Sequence, residues 1–306
     1  MKRYLKNTAI FLALIATILV LSEAVVRHFP NSYRFKSEWM DANASKVKTL
    51  ILGGSHTYYA IIPTMLGDSV FSLANVTQHP EYDCWLLEKY IDRCPDLKTV
   101  IMPVDESNVF DPELEEGSEW HRCTYYHIYM GYPKHDYNPK YSFEVSNIAA
   151  FNLKLGPALA HLLTGNAQVD CDSTGFGSDF TTPTFFNDEY MNRNANTTFN
   201  RHKDSNAIEY NTQYLDKITQ MCKERGIRLV LLTTPMWEGY VKKYDQKHYD
   251  VMHKVAAKYV NECGAEYRDY MTDPRFQGVD FHDASHLSRQ GAEKFTPIIK
   301  EDFGIN

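Results

Sequence analysis

LILGGSHTYY, residues 50 to 59, is the stretch whose reading decides the fold. Leu50, Ile51 and Leu52 are apolar without interruption, the pattern of a central parallel strand covered on both faces rather than of a half-exposed one. Gly53 and Gly54 then end the strand, and Ser55 and His56 follow at once. A strand that stops at glycines to present a hydroxyl beside an imidazole belongs at the carboxyl edge of an α/β sheet, where such folds bind ligands.

Outward from this stretch the chain alternates strand and helix. Val47–Leu52, Val70–Leu73, Thr99–Val104 (TVIMPV), Ile227–Leu232 (IRLVLL) and Ala265–Asp269 read as strands, the last as an edge. Glu81–Cys94, the helical spacing of Tyr214, Leu215, Ile218, Met221 and Cys222, Gln246–Asn261, and Ser288–Lys300 with Ser288 as its cap read as helices. This alternation predicts a parallel sheet with helices on both faces, spanning residues 47–306. Between 105 and 205 it fails. That stretch, rich in Tyr, Asn, Asp and Gly with an apolar helix near Ile148–Leu163, is too long for a loop and is expected as an insertion after the third strand, a candidate cap.

Residues 1–29 read as a targeting element. Lys2, Arg3 and Lys6 precede the apolar run Ala9–Leu21, and apolar character resumes at Ala24 after Ser22 and Glu23. A cleavable signal fits the short apolar core and the small residues around Glu23. A retained anchor fits the length, which as a helix just crosses a hydrocarbon layer of about 30 Å, and is the favoured reading. Residues 30–46 are expected as a polar linker. The basic start sets the N-terminus in the cytoplasm and the rest at the outer face of the cytoplasmic membrane, or secreted or periplasmic if the segment is cleaved. Beyond residue 29 the chain carries 28 basic and 38 acidic residues, a net charge of −10, which argues against nucleic acid as a partner. The six cysteines all follow residue 29, so an oxidising compartment is expected, with disulfides and buried thiols both open.

The chemistry gathers at two strand ends. VDFHDASHLSRQGAEKF, Val279 to Phe295, places Asp283 and His286 three residues apart, near enough to point one way. A serine hydroxyl needs a base to take its proton as it attacks, histidine does this near neutral pH, and a carboxylate on the other ring nitrogen fixes the tautomer. Ser55, His286 and Asp283 supply one residue for each role. Candidate oxyanion donors are the N–H groups of Ser55, Thr77 and Gln78 and the side chain of Asn75. His56 is expected to bond locally, since neighbours in a turn rarely aim at one point. His282 and His286, four apart, with Asp280 or His56, make a weaker metal-binding alternative. The aromatic cluster Trp120–Tyr132 suits sugar stacking but suits packing better.

Gly53-Gly54-Ser55 after the first strand, with Asp283-x-x-His286-Leu287 before the last helix, resembles the SGNH (GDSL-type) hydrolase superfamily. The likeness is greatest to its membrane-anchored cell-envelope branch, related to the protein of D-alanyl-lipoteichoic acid synthesis. It covers about residues 48–109 and 208–303. The resemblance implies a three-layer α/β/α sandwich with a five-stranded parallel, flavodoxin-like sheet, Ser55 as nucleophile, His286 as base and Asp283 as its partner. It also implies ester substrates, commonly acyl groups on carbohydrates or lipids; the triad chemistry requires no metal or organic cofactor. A membrane-bound acyltransferase is a candidate partner. Two departures stand out. Where the family has a glycine after the second strand this chain has Asn75-Val76-Thr77-Gln78, and where it has an asparagine after the third this chain has Asp105, which cannot donate when ionised. The expected function is a serine esterase or O-acyltransferase, and the alternative is a non-catalytic accessory protein that binds a glycan or a membrane acyltransferase.

Overall fold

The computed structural model describes residues 1–166, 169–180, 187–202 and 206–305. In chain order its principal elements are α1 (Lys2–His28), α2 (Ser32–Asn43), β1 (Thr49–Ile51), α3 (Ser55–Ala60), β2 (Val70–Ser72), α4 (Pro80–Tyr90) and β3 (Thr99–Pro103). There follow α5 (Ile148–Thr164), α6 (Asp188–His202), α7 (Ile208–Glu224), β4 (Arg228–Thr233), α8 (Gln246–Cys263), β5 (Glu266–Asp269) and α9 (Arg289–Phe303). Residues 30–46, expected as a linker, are mostly helical. The Asn31 side chain accepts from the Arg34 N–H (3.0 Å) and so starts α2 in the manner of an N-cap.

The chain divides into two compact units, Met1–Ser37 with Glu119–Val169, and Glu38–Ser118 with Asp170–Asn306. The stretch 105–205 is therefore shared, its middle clustering with the N-terminal segment and its ends with the sheet. Of that stretch, residues 167–168, 181–186 and 203–205 lie outside the described part.

In the first unit, α1 is the one helix among the described residues long and apolar enough to cross a membrane, by length and composition. Its C-terminal turns are built into the unit. The Glu23 carboxylate accepts from the Val145 N–H (3.0 Å) and pairs with Arg27, whose guanidinium donates to the Ser142 carbonyl (2.6 Å). Val26 is fully buried. Tyr125 and Tyr126 pack on Tyr33, so part of the aromatic cluster serves packing.

The second unit holds a five-stranded, all-parallel sheet of order β2-β1-β3-β4-β5. Leu50, Ile51, Val100, Ile101, Val230 and Leu232 are fully buried, as central strands require, whereas β5 alternates exposed and half-buried residues as an edge does. The order reverses at β1. Because parallel crossovers are right-handed, the helices after β1 and after β2 cover opposite faces. Accordingly α3 packs with α9, while α4, α7 and α8 form a second set. The crevice at such a reversal, outside the carboxyl ends of β1 and β3, is where this architecture binds ligands. All six cysteines are free thiols, five of them buried.

Candidate active site

Ser55 is the first residue of α3, carried there by the turn after β1. Gly53 adopts φ +110°, and a Cβ at that position would lie 2.3 Å from Pro103 Cδ, so both conformation and space demand glycine. Gly54 has an ordinary φ of −81°, and a Cβ there would meet the Gln78 carbonyl at 3.4 Å, an ordinary contact. The Gly53 N–H donates to Asp83 Oδ1 (2.8 Å).

His286 arrives from the loop before α9. Its Nε2 lies 2.7 Å from Ser55 Oγ, and its Nδ1 lies 2.9 and 3.0 Å from the two Asp283 oxygens. Asp283 Oδ1 also accepts from the N–H groups of Ser285 and His286, each at 2.9 Å. Burial works against the charge on Asp283, but the attraction and hydrogen bond of His286, with the Ser285 N–H, outweigh it and hold the carboxyl well below its usual range. Phe180 stacks between Tyr59 (3.7 Å) and His282 (3.8 Å) and stands edge-on to His286 (5.4 Å, 81°), walling the imidazole in. Thus the three residues expected to meet do meet, while His282 is drawn onto Phe180 and Asp280 accepts from Lys294 Nζ (2.8 Å).

The expected oxyanion donors differ in their freedom. The backbone N–H groups of Ser55 and Thr77 have no hydrogen-bond partner among the described residues. Thr77 sits at φ +54°, the left-handed conformation natural to glycine, in the stretch where the resemblance expects a glycine. Gln78 is engaged elsewhere, its N–H donating to the Asn75 carbonyl (3.2 Å) and its Nε2 to Asp83 Oδ1 (2.6 Å). The Asn75 amide is directed to Gln78 Oε1 (3.4 Å) and the Leu73 carbonyl (3.5 Å).

The pairing of His56 with Asp105, and the role of Asp83, escape the sequence reading. His56, expected to bond locally, reaches 49 positions along the chain, with Nδ1 2.8 Å from Asp105 Oδ2. Its ring lies 4.9 Å from that of His286, its side chain keeps 9% exposure, and its Nε2 has no partner among the described residues. Burial alone would lower the His56 pKa. The attraction and hydrogen bond of Asp105, helped by the charges of Asp283 and Glu106, reverse this and raise it above 6.5. Asp105 is buried, follows β3 directly, and with Oδ1 caps the next short helix by accepting from the Asn108 N–H (2.9 Å). Asp83, fully buried on α4, ties the Gly53 turn to the Gln78 turn through one oxygen, and burial pushes its carboxyl up to about 7. An acidic residue inside an otherwise buried helix was the available signal for it.

Beside the His286 loop, the Trp237 backbone N–H donates to the Ala284 carbonyl (3.0 Å), and Trp237 lines a cavity of about 470 Å³ with Phe276, Phe281, Gln277 and Lys242.

A family model described as a protein of unknown function (DUF1574) matches residues 160–303, slightly under half of the chain. Among solved structures, the chain is similar to a candidate acylhydrolase of Bacteroides fragilis NCTC 9343, at 10% identity over 87% of this chain and 94% of that one, with a TM-score of 0.40. It is also similar to a GDSL-like lipase of Bacteroides thetaiotaomicron VPI-5482, at 9% identity over 90% and 98%, with a TM-score of 0.41. A third is a candidate platelet activating factor of Streptococcus pneumoniae, at 12% identity over 96% and 98%, with a TM-score of 0.39. No curated protein matches.

Proposed function

We propose that the chain is a serine ester hydrolase or O-acyltransferase of SGNH type, held by α1 at the outer face of the cytoplasmic membrane. The observation that carries this is the chain of hydrogen bonds from Ser55 Oγ to His286 Nε2 (2.7 Å) and from His286 Nδ1 to Asp283 (2.9 Å). As Ser55 Oγ bonds to the acyl carbon, His286 takes its proton, and Asp283 holds the ring and stabilises the imidazolium. The carbonyl π pair moves onto oxygen. Collapse of that intermediate expels the alcohol, which receives the proton from His286 and leaves an acyl-Ser55. Water or a sugar hydroxyl then repeats the sequence in reverse.

The oxyanion is met by the N–H groups of Ser55 and Thr77 and by Nε2–H of His56. Asp105 accepts only, so it keeps a proton on His56 Nδ1. Nε2 therefore donates when the ring is the imidazolium, and the raised pKa favours that form. An acceptor at Asp105 thus still yields a donor at the site, which supports an enzyme over a non-catalytic accessory protein. Acyl esters of envelope glycans or lipids are the substrate class, and the cavity beside Trp237, with aromatic and polar walls, suits a sugar ring. Retention of α1 is supported by Glu23, Arg27 and Val26, which the fold uses together and which a cut after Ala24 would separate.

The test is a fluorophosphonate probe followed by peptide mass spectrometry. A single adduct on Ser55, lost in Ser55→Ala, is expected, and an unlabelled protein beside a labelled control esterase would reject the reading.

A further inference from the structure

We infer that α5 lies in the membrane interface beside α1, with its outward face against lipid acyl chains. Its sequence, IAAFNLKLGPALAHLLT, contains one charged residue, Lys154. That lysine points inward, with Nζ 2.7 Å from Glu144 Oε1 and 3.7 Å from the centre of the Tyr125 ring. Glu144 is itself buried, and Tyr129 also donates to it. The outward side carries Ile148, Leu153, Leu159, Leu162 and Leu163, from 46% to 87% exposed. At 100° per residue Leu163 stands about 180° around the helix from Lys154. A helix on a water-soluble domain does the opposite, hiding its leucines and exposing its lysine. Patches of this kind mark membrane or partner surfaces.

The place of α5 selects the bilayer as occupant. The segment leading into α5 and its last turn are fastened to the final turns of α1, through Glu23 to Val145, Arg27 to Ser142, and Phe29 against His161 (6.0 Å). This is the level at which the exposed apolar run of α1 gives way to charge. Two bare apolar surfaces therefore meet at one height, that of the headgroup and acyl boundary, where interfacial helices sink by about 5–10 Å. The inference rests on α1 crossing the membrane.

Its test uses the full chain in phosphatidylcholine vesicles. Leu159→Cys and Leu163→Cys, each labelled with an environment-sensitive fluorophore, are compared with the unsubstituted protein, whose one half-exposed thiol is Cys263. Blue-shifted emission and stronger quenching by nitroxide-labelled phosphatidylcholine are expected at both positions. Chain that fails to float with the vesicles would overturn the membrane reading of α1. Chain that floats with emission and quenching no different from the reference would overturn the α5 inference alone. A blue shift without lipid quenching would also overturn it, by assigning the face to a second copy or another protein.

Discussion

Replacing His56 with alanine is expected to lower kcat by about 100- to 1,000-fold, since one preorganised oxyanion donor is worth about 2.7–4 kcal/mol of barrier. KM should move little, because the donor meets charge that develops only in the transition state. The pH dependence separates this role from a structural one. With Nδ1–H fixed on Asp105 at 2.8 Å, a neutral His56 has no proton on Nε2. The wild-type rate should therefore fall as pH rises through the raised pKa of His56, and that limb should vanish in His56→Ala. In Asp105→Asn the limb should move to lower pH, because the attraction that raises the pKa is gone. The assay is hydrolysis of a p-nitrophenyl ester across pH 5.5–9.5, a range set to bracket the ordinary histidine value of about 6.5, with fluorophosphonate labelling as a check that Ser55 remains competent. A kcat for His56→Ala close to that of the wild type, or an unchanged alkaline limb, would refute the reasoning.

Asp283→Asn should leave the fold intact and reduce kcat by about 10,000-fold through the wrong His286 tautomer, measured with the same ester. Asp83 has its carboxyl raised to about 7, so its contribution to stability is full below the ordinary carboxylate value and lost as pH rises through about 7. Asp83→Asn should flatten that slope, worth at most on the order of 4 kcal/mol, in urea midpoints taken below and above the transition. Gly53→Ala should abolish activity by forcing Pro103 aside, whereas Thr77→Gly should keep it and unfold no more easily, since left-handed backbone costs a threonine roughly 1–2 kcal/mol. Activity and thermal midpoints of these two variants give the check.

The sheet was legible because buried parallel strands write themselves as apolar runs, and strand ends then located Ser55 and the Asp283–His286 loop without any contact information. What escaped was pairing across the chain. His56 and Asp105 are 49 residues apart and meet only because β1 and β3 are neighbours, a fact of strand order that hydropathy does not encode. Asn75 and Gln78 have the right chemistry for oxyanion donors, but a buried carboxylate at Asp83 claims Gln78, and Gln78 claims Asn75. The stretch 105–205 looked like one insertion because its break in alternation is continuous, while its division between two units depends on tyrosine packing and buried ion pairs that have no period.

The loop that delivers His286 closes on itself, with Phe281 bridged to Leu287, the His282 N–H on the His286 carbonyl, and the Asp283 carboxylate held by three nitrogens within four residues. Acid and base consequently travel as one cassette. A displacement of that cassette changes a single coordinate, the gap between imidazole and alcohol, while leaving the Asp283–His286 pair behind it intact. Under the proposed mechanism, one distance, from His286 Nε2 to Ser55 Oγ, couples this preassembled part to the nucleophile.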